Sequence, residues 1–248
     1  MFNRSAASAK IDPDLARRDA LEMSARRHLR SIPVSPAWVA AAPSSIAITT
    51  REQARIDEIH DLIFSLPEAV GAVDSPLLEN RRKDLDALWR EAVATMCYSA
   101  QIATIQKGAI GATLLAGLLH RAGQALAIRA LALAELEQNV RLDPTSTADW
   151  LTRTAGAVFD ALAREWQISD KVVQIVKLWQ AYAEDTQPHE AQAVYLGHVL
   201  AMELLYPDWS SPEAIDAAAS ELDINAETLE WVRGERAQIL RLLRDPGC

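Results

Sequence analysis

The sequence predicts an all-α fold, on three observations. Half of its residues are apolar, with Ala and Leu outnumbering the β-branched types that strands favour. Helix start and stop signals recur along nearly the whole chain. No segment sustains the period-two alternation of a half-buried strand. Helices packed on helices are the architecture that suits such a composition, and 248 residues are enough for a substantial core.

The elements follow in order. Asp12-Pro13 offers a cap and a first-turn proline for a helix to about Arg30. Pro33, Pro36 and Pro43 punctuate a less regular stretch carrying Trp38. Thr50 with Gln53 makes a capping box for a helix whose apolar face is Ile56, Ile59, Ile63 and Leu66. Pro67 and Ser75-Pro76 mark breaks. A long helix is expected from about Lys83 to Ile105, with Leu85, Leu88, Trp89, Ala92, Met96 and Ala103 inward. Gly108 and Gly111 allow a turn into a second apolar helix ending at Gly123, and Asn139 to Pro144 is a loop. Trp150, Leu151, Thr154, Val158 and Leu162 share a face of the next helix. Ser169-Asp170 opens one carrying Val172, Val173, Val176 and Trp179. Pro188 opens another that ends at Tyr206-Pro207, and Ser211-Pro212-Glu213 starts the next. Asn225 caps the last, with Leu229, Val232, Ile239 and Leu243 buried. The expected total is eight to eleven helices without a fixed repeat period.

Composition excludes several function classes. A net charge of −9 argues against a nucleic-acid-binding surface. The N-terminal cluster Arg17, Arg18, Arg26, Arg27 and Arg30 reads as a solvated helix face offset by Asp14, Asp19 and Glu22. Cys97 and Cys248 are too few for a disulfide framework, so a reducing compartment is expected. No N-terminal stretch has signal-peptide character, and no run approaches the roughly 20 apolar residues of a membrane span. A cytoplasmic protein without membrane insertion is the expectation.

Four segments carry a resemblance. Gly117-Leu118-Leu119-His120-Arg121-Ala122-Gly123-Gln124 is similar to the Gly-Leu-Leu-His-Asp-Ile-Gly-Lys segment of the HD superfamily, whose adjacent His and Asp ligate a divalent metal. Leu88-Trp89-Arg90-Glu91-Ala92-Val93-Ala94-Thr95 resembles an earlier helix of the same proteins. Trp166-Gln167-Ile168-Ser169-Asp170-Lys171-Val172-Val173-Gln174-Ile175-Val176 and Ala193-Val194-Tyr195-Leu196-Gly197-His198-Val199-Leu200-Ala201 resemble later ones. In this order and spacing, over about residues 80–245, the segments resemble the HDOD (HD-related output domain) family of bacterial signalling proteins, a degenerate branch of the HD superfamily. The N-terminal region fits two registers, one on Ile11-Asp12-Pro13-Asp14-Leu15 and one on Ser31-Ile32-Pro33-Val34-Ser35-Pro36. The resemblance implies an HD-like helical bundle over 81–248 with an additional N-terminal helical subdomain over 1–80.

The resemblance also implies where metal chemistry has been lost. The positions that carry ligands in active HD proteins read Glu91, His120, Arg121 and His198. Arg121 is a permanent cation with no lone pair to offer. At about 4 Å and an effective dielectric near 20, a like charge beside a metal costs about 4 kcal/mol. That is a ceiling, since a guanidinium can turn to solvent. Gln124 stands where the superfamily has Lys. The implied protein is a non-catalytic regulatory module with no cofactor, a pseudoenzyme that binds a protein or small-ligand partner in a signalling pathway, through the groove of the lost metal site or through its N-terminal helices. A polar pocket near Gln124 and Trp179 is the place expected to take a ligand. Glu91, His120 and His198 are still legitimate ligand types, which leaves a metal-dependent phosphohydrolase of reduced metal complement as the alternative. A helical scaffold without any ligand is a third reading.

Other constellations are structural. His28, His60 and His189 are isolated in sequence and expected at solvent-facing or capping positions. Cys97, beside Met96, reads as a buried inert thiol. Glu135 and Glu137 lie i,i+2 on a helix, hence on different faces, and form no dyad. The seven Trp lie mostly at apolar helix positions and read as core anchors first, and as interface residues only where a structure leaves one exposed. No phosphate-binding loop, nucleophile elbow or dinucleotide fingerprint occurs.

Overall fold

Helices were expected throughout, and the computed structural model, which describes residues 13–36, 39, 50–71, 73–181 and 188–243, contains no strand among them. Twelve α-helical segments lie among the described residues, against the eight to eleven expected, because the short α3 was not anticipated and the helix after Asn225 is broken in two. The elements are α1 (Pro13–His28), α2 (Thr50–Ile59), α3 (Glu68–Gly71), α4 (Pro76–Ile105), α5 (Ile110–Leu119), α6 (Ala122–Gln138), α7 (Pro144–Glu165), α8 (Asp170–Leu178), α9 (His189–Leu205), α10 (Pro212–Glu221), α11 (Ala226–Arg233) and α12 (Arg236–Leu242). A π-helical turn, His60–Phe64, continues α2. The expected cap at Asp12, the capping box at Thr50 and Gln53, and Trp38 lie outside the described residues and side chains.

Local chemistry sets most boundaries. Ser75 caps α4 by accepting from Leu77 N, with Pro76 in the first turn, so this helix starts before the expected Lys83. Asp143 caps α7 through Ser146 N at 3.0 Å, and Asn225 caps α11 through Thr228 N at 2.9 Å. Asn139 ends α6 in the left-handed conformation, φ 50°, which suits Asn.

Two helix ends correct the sequence reading. The apolar helix expected to end at Gly123 stops at Leu119, and α6 resumes at Ala122 after a corner at His120-Arg121. Gly123 is no terminator. A Cβ there would lie 2.2 Å from the Ala155 carbonyl oxygen of α7, so the glycine permits close helix packing. The helix expected after Asn225 likewise breaks at Gly234 into α11 and α12.

α4 runs through the middle of the molecule. Its Leu85, Leu88, Trp89 and Met96 join Leu114, Leu115, Leu118, Leu119 and Val176 in the main core. Ala94, Tyr98 and Ile102 on another face of α4 pack with α9, α10 and α11 in a second core. Gly197 of α9 lets this crossing close up: a Cβ there would sit 2.9 Å from Ser99 N. The N-terminal elements share this packing. Ile56, Ile59, Ile63 and Phe64 lie in the main core, while Leu21 and Ala25 of α1 pack on Leu131 and Ala134 of α6. The boundary expected between residues 80 and 81 falls inside α4.

One buried ion pair locks three helices. Arg81 of α4 donates to both oxygens of Glu135 of α6, at 2.9 and 2.8 Å, and to Thr147 Oγ1 of α7 at 3.1 Å. Glu135 also accepts from Leu142 N. Glu137, two residues on, is half-exposed and meets Arg27 of α1. His60 departs from expectation: its ring stacks near Trp89, centroids 4.9 Å apart, rather than facing solvent freely. Among the described residues, no helix is long and apolar enough to cross a membrane.

Candidate functional site

The α5–α6 corner, α4, α9 and the turn after α8 bring together the four positions to which the resemblance assigns ligands. His120 caps α5, with its Nδ1–H donating to the Gly117 carbonyl at 2.7 Å. That bond leaves Nε2 as the acceptor nitrogen. The His120 and His198 rings lie 5.4 Å apart between centroids. Trp179 packs edge-on against both, at 5.0 and 4.9 Å. The sequence alignment of His120 with His198 is therefore realised in space.

Glu91 and Arg121 complete the cluster. Arg121 Nε is 3.3 Å from Glu91 Oε2, an ion pair without the alignment of a hydrogen bond. Its guanidinium carbon lies 5.3 Å from the Trp179 ring centroid, within cation–π range. Arg121 Nη1 also donates to Gln124 Oε1 at 3.3 Å. Arg121 thus does not turn away to solvent. It stands inside the cluster as an internal cation.

The electrostatics follow from burial and from that cation. Burial, then His198 and Arg121, hold the His120 imidazole well below its ordinary pKa. Burial, then Arg121, pushes His198 down to about 3. Both rings are neutral at pH 7. Burial raises Glu91, with Arg121 opposing the rise. His120 Nε2, His198 Nδ1, Glu91 Oε2 and Arg121 Nε are buried without a hydrogen-bond partner. Polar atoms in that condition ordinarily face water or a ligand.

A recess of about 280 Å³ opens beside the cluster, lined by His120, Arg121, Gln124, Trp179, Phe159 and Lys177 among others. Gln124 and Trp179, singled out from sequence, both face it. Phe159 and Lys177 were not anticipated, since nothing in their local sequence ties α7 and α8 to the α5–α6 corner. Lys177 pairs with Asp160 across the rim at 2.7 Å. Cys97 lies apart, packed between the two cores, and burial pushes its thiol up to about 12.

The donor set does not fit the divalent metal of the HD superfamily. Two imidazoles remain, but the one carboxylate is engaged by a guanidinium, and among the described residues no three His, Cys, Asp or Glu converge on one point. A cation held where a bridging carboxylate would stand opposes a second cation.

Comparison with known proteins places the fold. No curated protein matches the chain. Among solved structures, a crystal structure of a protein provisionally named a signal transduction protein, from Marinobacter aquaeolei VT8, is 17% identical with a TM-score of 0.50. The match covers 96% of this chain and 66% of that one, so this chain spans just under two thirds of the other's length. At that identity the likeness shows the fold. The HDOD domain matches residues 56–182, from Ile56 of α2 through α4 and the α5–α6 corner to the turn carrying Trp179. It begins before the expected boundary at residue 80, beyond both candidate N-terminal registers, and stops short of His198. With half of its length matched, this chain belongs to the HDOD domain family.

Proposed function

We propose that this protein is a non-catalytic signalling module that binds a protein or small-ligand partner at the former metal place of the HD fold. Arg121 carries the reading. Its guanidinium lies against Glu91 and over Trp179, supplying internally a positive charge where active HD proteins hold an ion. Membership of the HDOD family and the likeness to a protein provisionally assigned to signal transduction support the signalling role. The family's bacterial setting and the scarcity of cysteine support a bacterial cytoplasmic location.

A second reading, a phosphohydrolase of reduced metal complement, draws on one observation: two neutral imidazoles with unpaired nitrogens face each other. Metal analysis separates the two. Protein purified from zinc- and manganese-supplemented medium is expected to carry well under one ion per chain and to leave phosphomono- and phosphodiester substrates intact. Chelator should not move its thermal midpoint. One tightly held ion per chain together with phosphoester hydrolysis would replace the module by the enzyme. Arg121→Asp combined with Glu91→His restores the superfamily donor type at all of these positions but His198, itself a ligand type, and should yield weak zinc binding measurable by calorimetry.

A further inference from the structure

Arg129 lies on α6, away from the cluster around Arg121, and only part of its side chain reaches solvent. Among the described residues, its one hydrogen bond runs from Nη1 to the Leu62 carbonyl in the π-helical turn. No carboxylate pairs with it among the described residues. Two other buried arginines do pair with a carboxylate: Arg81 with Glu135, and Arg121 with Glu91. Burial without an anion pushes the Arg129 guanidinium down to about 10. A guanidinium has five N–H donors, so most of these remain uncommitted.

Arg129 lines a recess of about 260 Å³ between α6, the end of α1 and the following Ser31–Pro33 segment. Two further polar side chains, His28 and Ser31, line the same recess. His28 Nε2 is buried without a hydrogen bond, 3.5 Å from Glu137 Oε2. The remaining wall is mostly apolar, including Ile32, Leu126 and Leu133.

We propose that this recess binds a small organic carboxylate, its carboxylate on Arg129 and its hydrocarbon body against Ile32, Leu126 and Leu133. Arg–carboxylate pairing is planar and bidentate, and suits the free fork of Arg129. An inorganic dianion is disfavoured, because an apolar wall strips its hydration without offering enough donors in return. The proposal is independent of the signalling reading and of the site around Arg121.

Benzoate is the probe, with benzamide and inorganic phosphate as controls, and thermal melting and calorimetry as readouts on the full chain. At about five times its Kd, a ligand specific for the folded state adds about 1 kcal/mol, or about 2–4 °C for a chain of this size. Benzoate should produce a saturable shift of that order, and benzamide none. Arg129→Met should abolish the benzoate shift while raising the ligand-free midpoint, since it removes an unpaired buried charge. Arg129→Lys keeps the charge without the fork and should weaken binding at least tenfold. The proposal is overturned if benzoate gives no saturable signal, if benzamide or phosphate binds as well as benzoate, or if Arg129→Met leaves benzoate binding unchanged. A lower ligand-free midpoint in Arg129→Met would assign Arg129 to anchoring the Leu62 carbonyl instead, and would equally refute the account.

Discussion

Replacing Arg121 by Met tests whether the guanidinium is a structural cation. Met preserves most of the apolar stem on Trp179 and removes the charge beside Glu91. The side chains are 22% and 12% exposed. Breaking a fully buried pair costs about 3–5 kcal/mol; with this residual exposure, and with Glu91 free to take up a proton, about 1.5–3 kcal/mol is expected. Loss of the cation–π contact at 5.3 Å adds about 0.5–1 kcal/mol. The sum, about 2–4 kcal/mol, lowers the thermal midpoint by roughly 5–12 °C. Urea unfolding of Arg121→Met, Glu91→Gln and the double variant closes a cycle, and the double variant should recover most of the loss.

The pH dependence gives a second check on the same variant. Burial raises Glu91 in the folded state, and without Arg121 nothing opposes the rise. A carboxyl raised in the folded state destabilises once ionised, so the deficit of Arg121→Met should be widest near pH 7–8 and shrink as pH falls toward 4.5. A single-variant cost below about 0.5 kcal/mol, with no coupling in the cycle, would mean that Arg121 faces solvent and that the internal-cation account is wrong.

Three further outcomes follow from the same geometry. His120 and His198 are held neutral, so the unfolded chain binds more protons below their ordinary value of 6.5; their stabilisation is complete above that value and is lost as pH falls, for His198 toward about 3. Between pH 6.5 and 5 the slope should approach two protons, about 2.7 kcal/mol per pH unit at most, and His198→Gln should roughly halve it in pH-dependent urea unfolding. Flat stability over that window would contradict the burial of both rings. Arg81→Met alone should cost about 3–5 kcal/mol by stranding Glu135, and Arg81→Met with Glu135→Leu should regain much of it; equal losses in the single and double variants would deny the pairing. Gly123→Ala should cost more than about 2 kcal/mol by circular-dichroism melting, in the upper part of the usual range for overpacking or above it, because its Cβ meets a backbone carbonyl that cannot rotate aside.

The all-helical class, most helix starts and the apolar face of each long helix were legible in the sequence, because caps and a 3.6-residue period act over a few neighbours. Ser211, Asn225 and the Pro188 start were read correctly for that reason. The family was also legible, as was the meeting of Glu91, His120, Arg121 and His198, since residue order preserves the motifs that carry them. The break at His120-Arg121 was not, because an Ala- and Leu-rich run is equally apolar on both sides of a corner. The role of Gly123 was hidden for a related reason: its neighbour is Ala155 of another helix. From sequence alone Arg121 could equally have faced water. Only the packing of α4 and the turn after α8 around that corner placed it between Glu91 and Trp179. The same packing left Arg129 without an anion. Local signals fix where a helix begins, whereas the partner of a buried charge depends on which distant helices meet, and burial then sets the energy of that meeting.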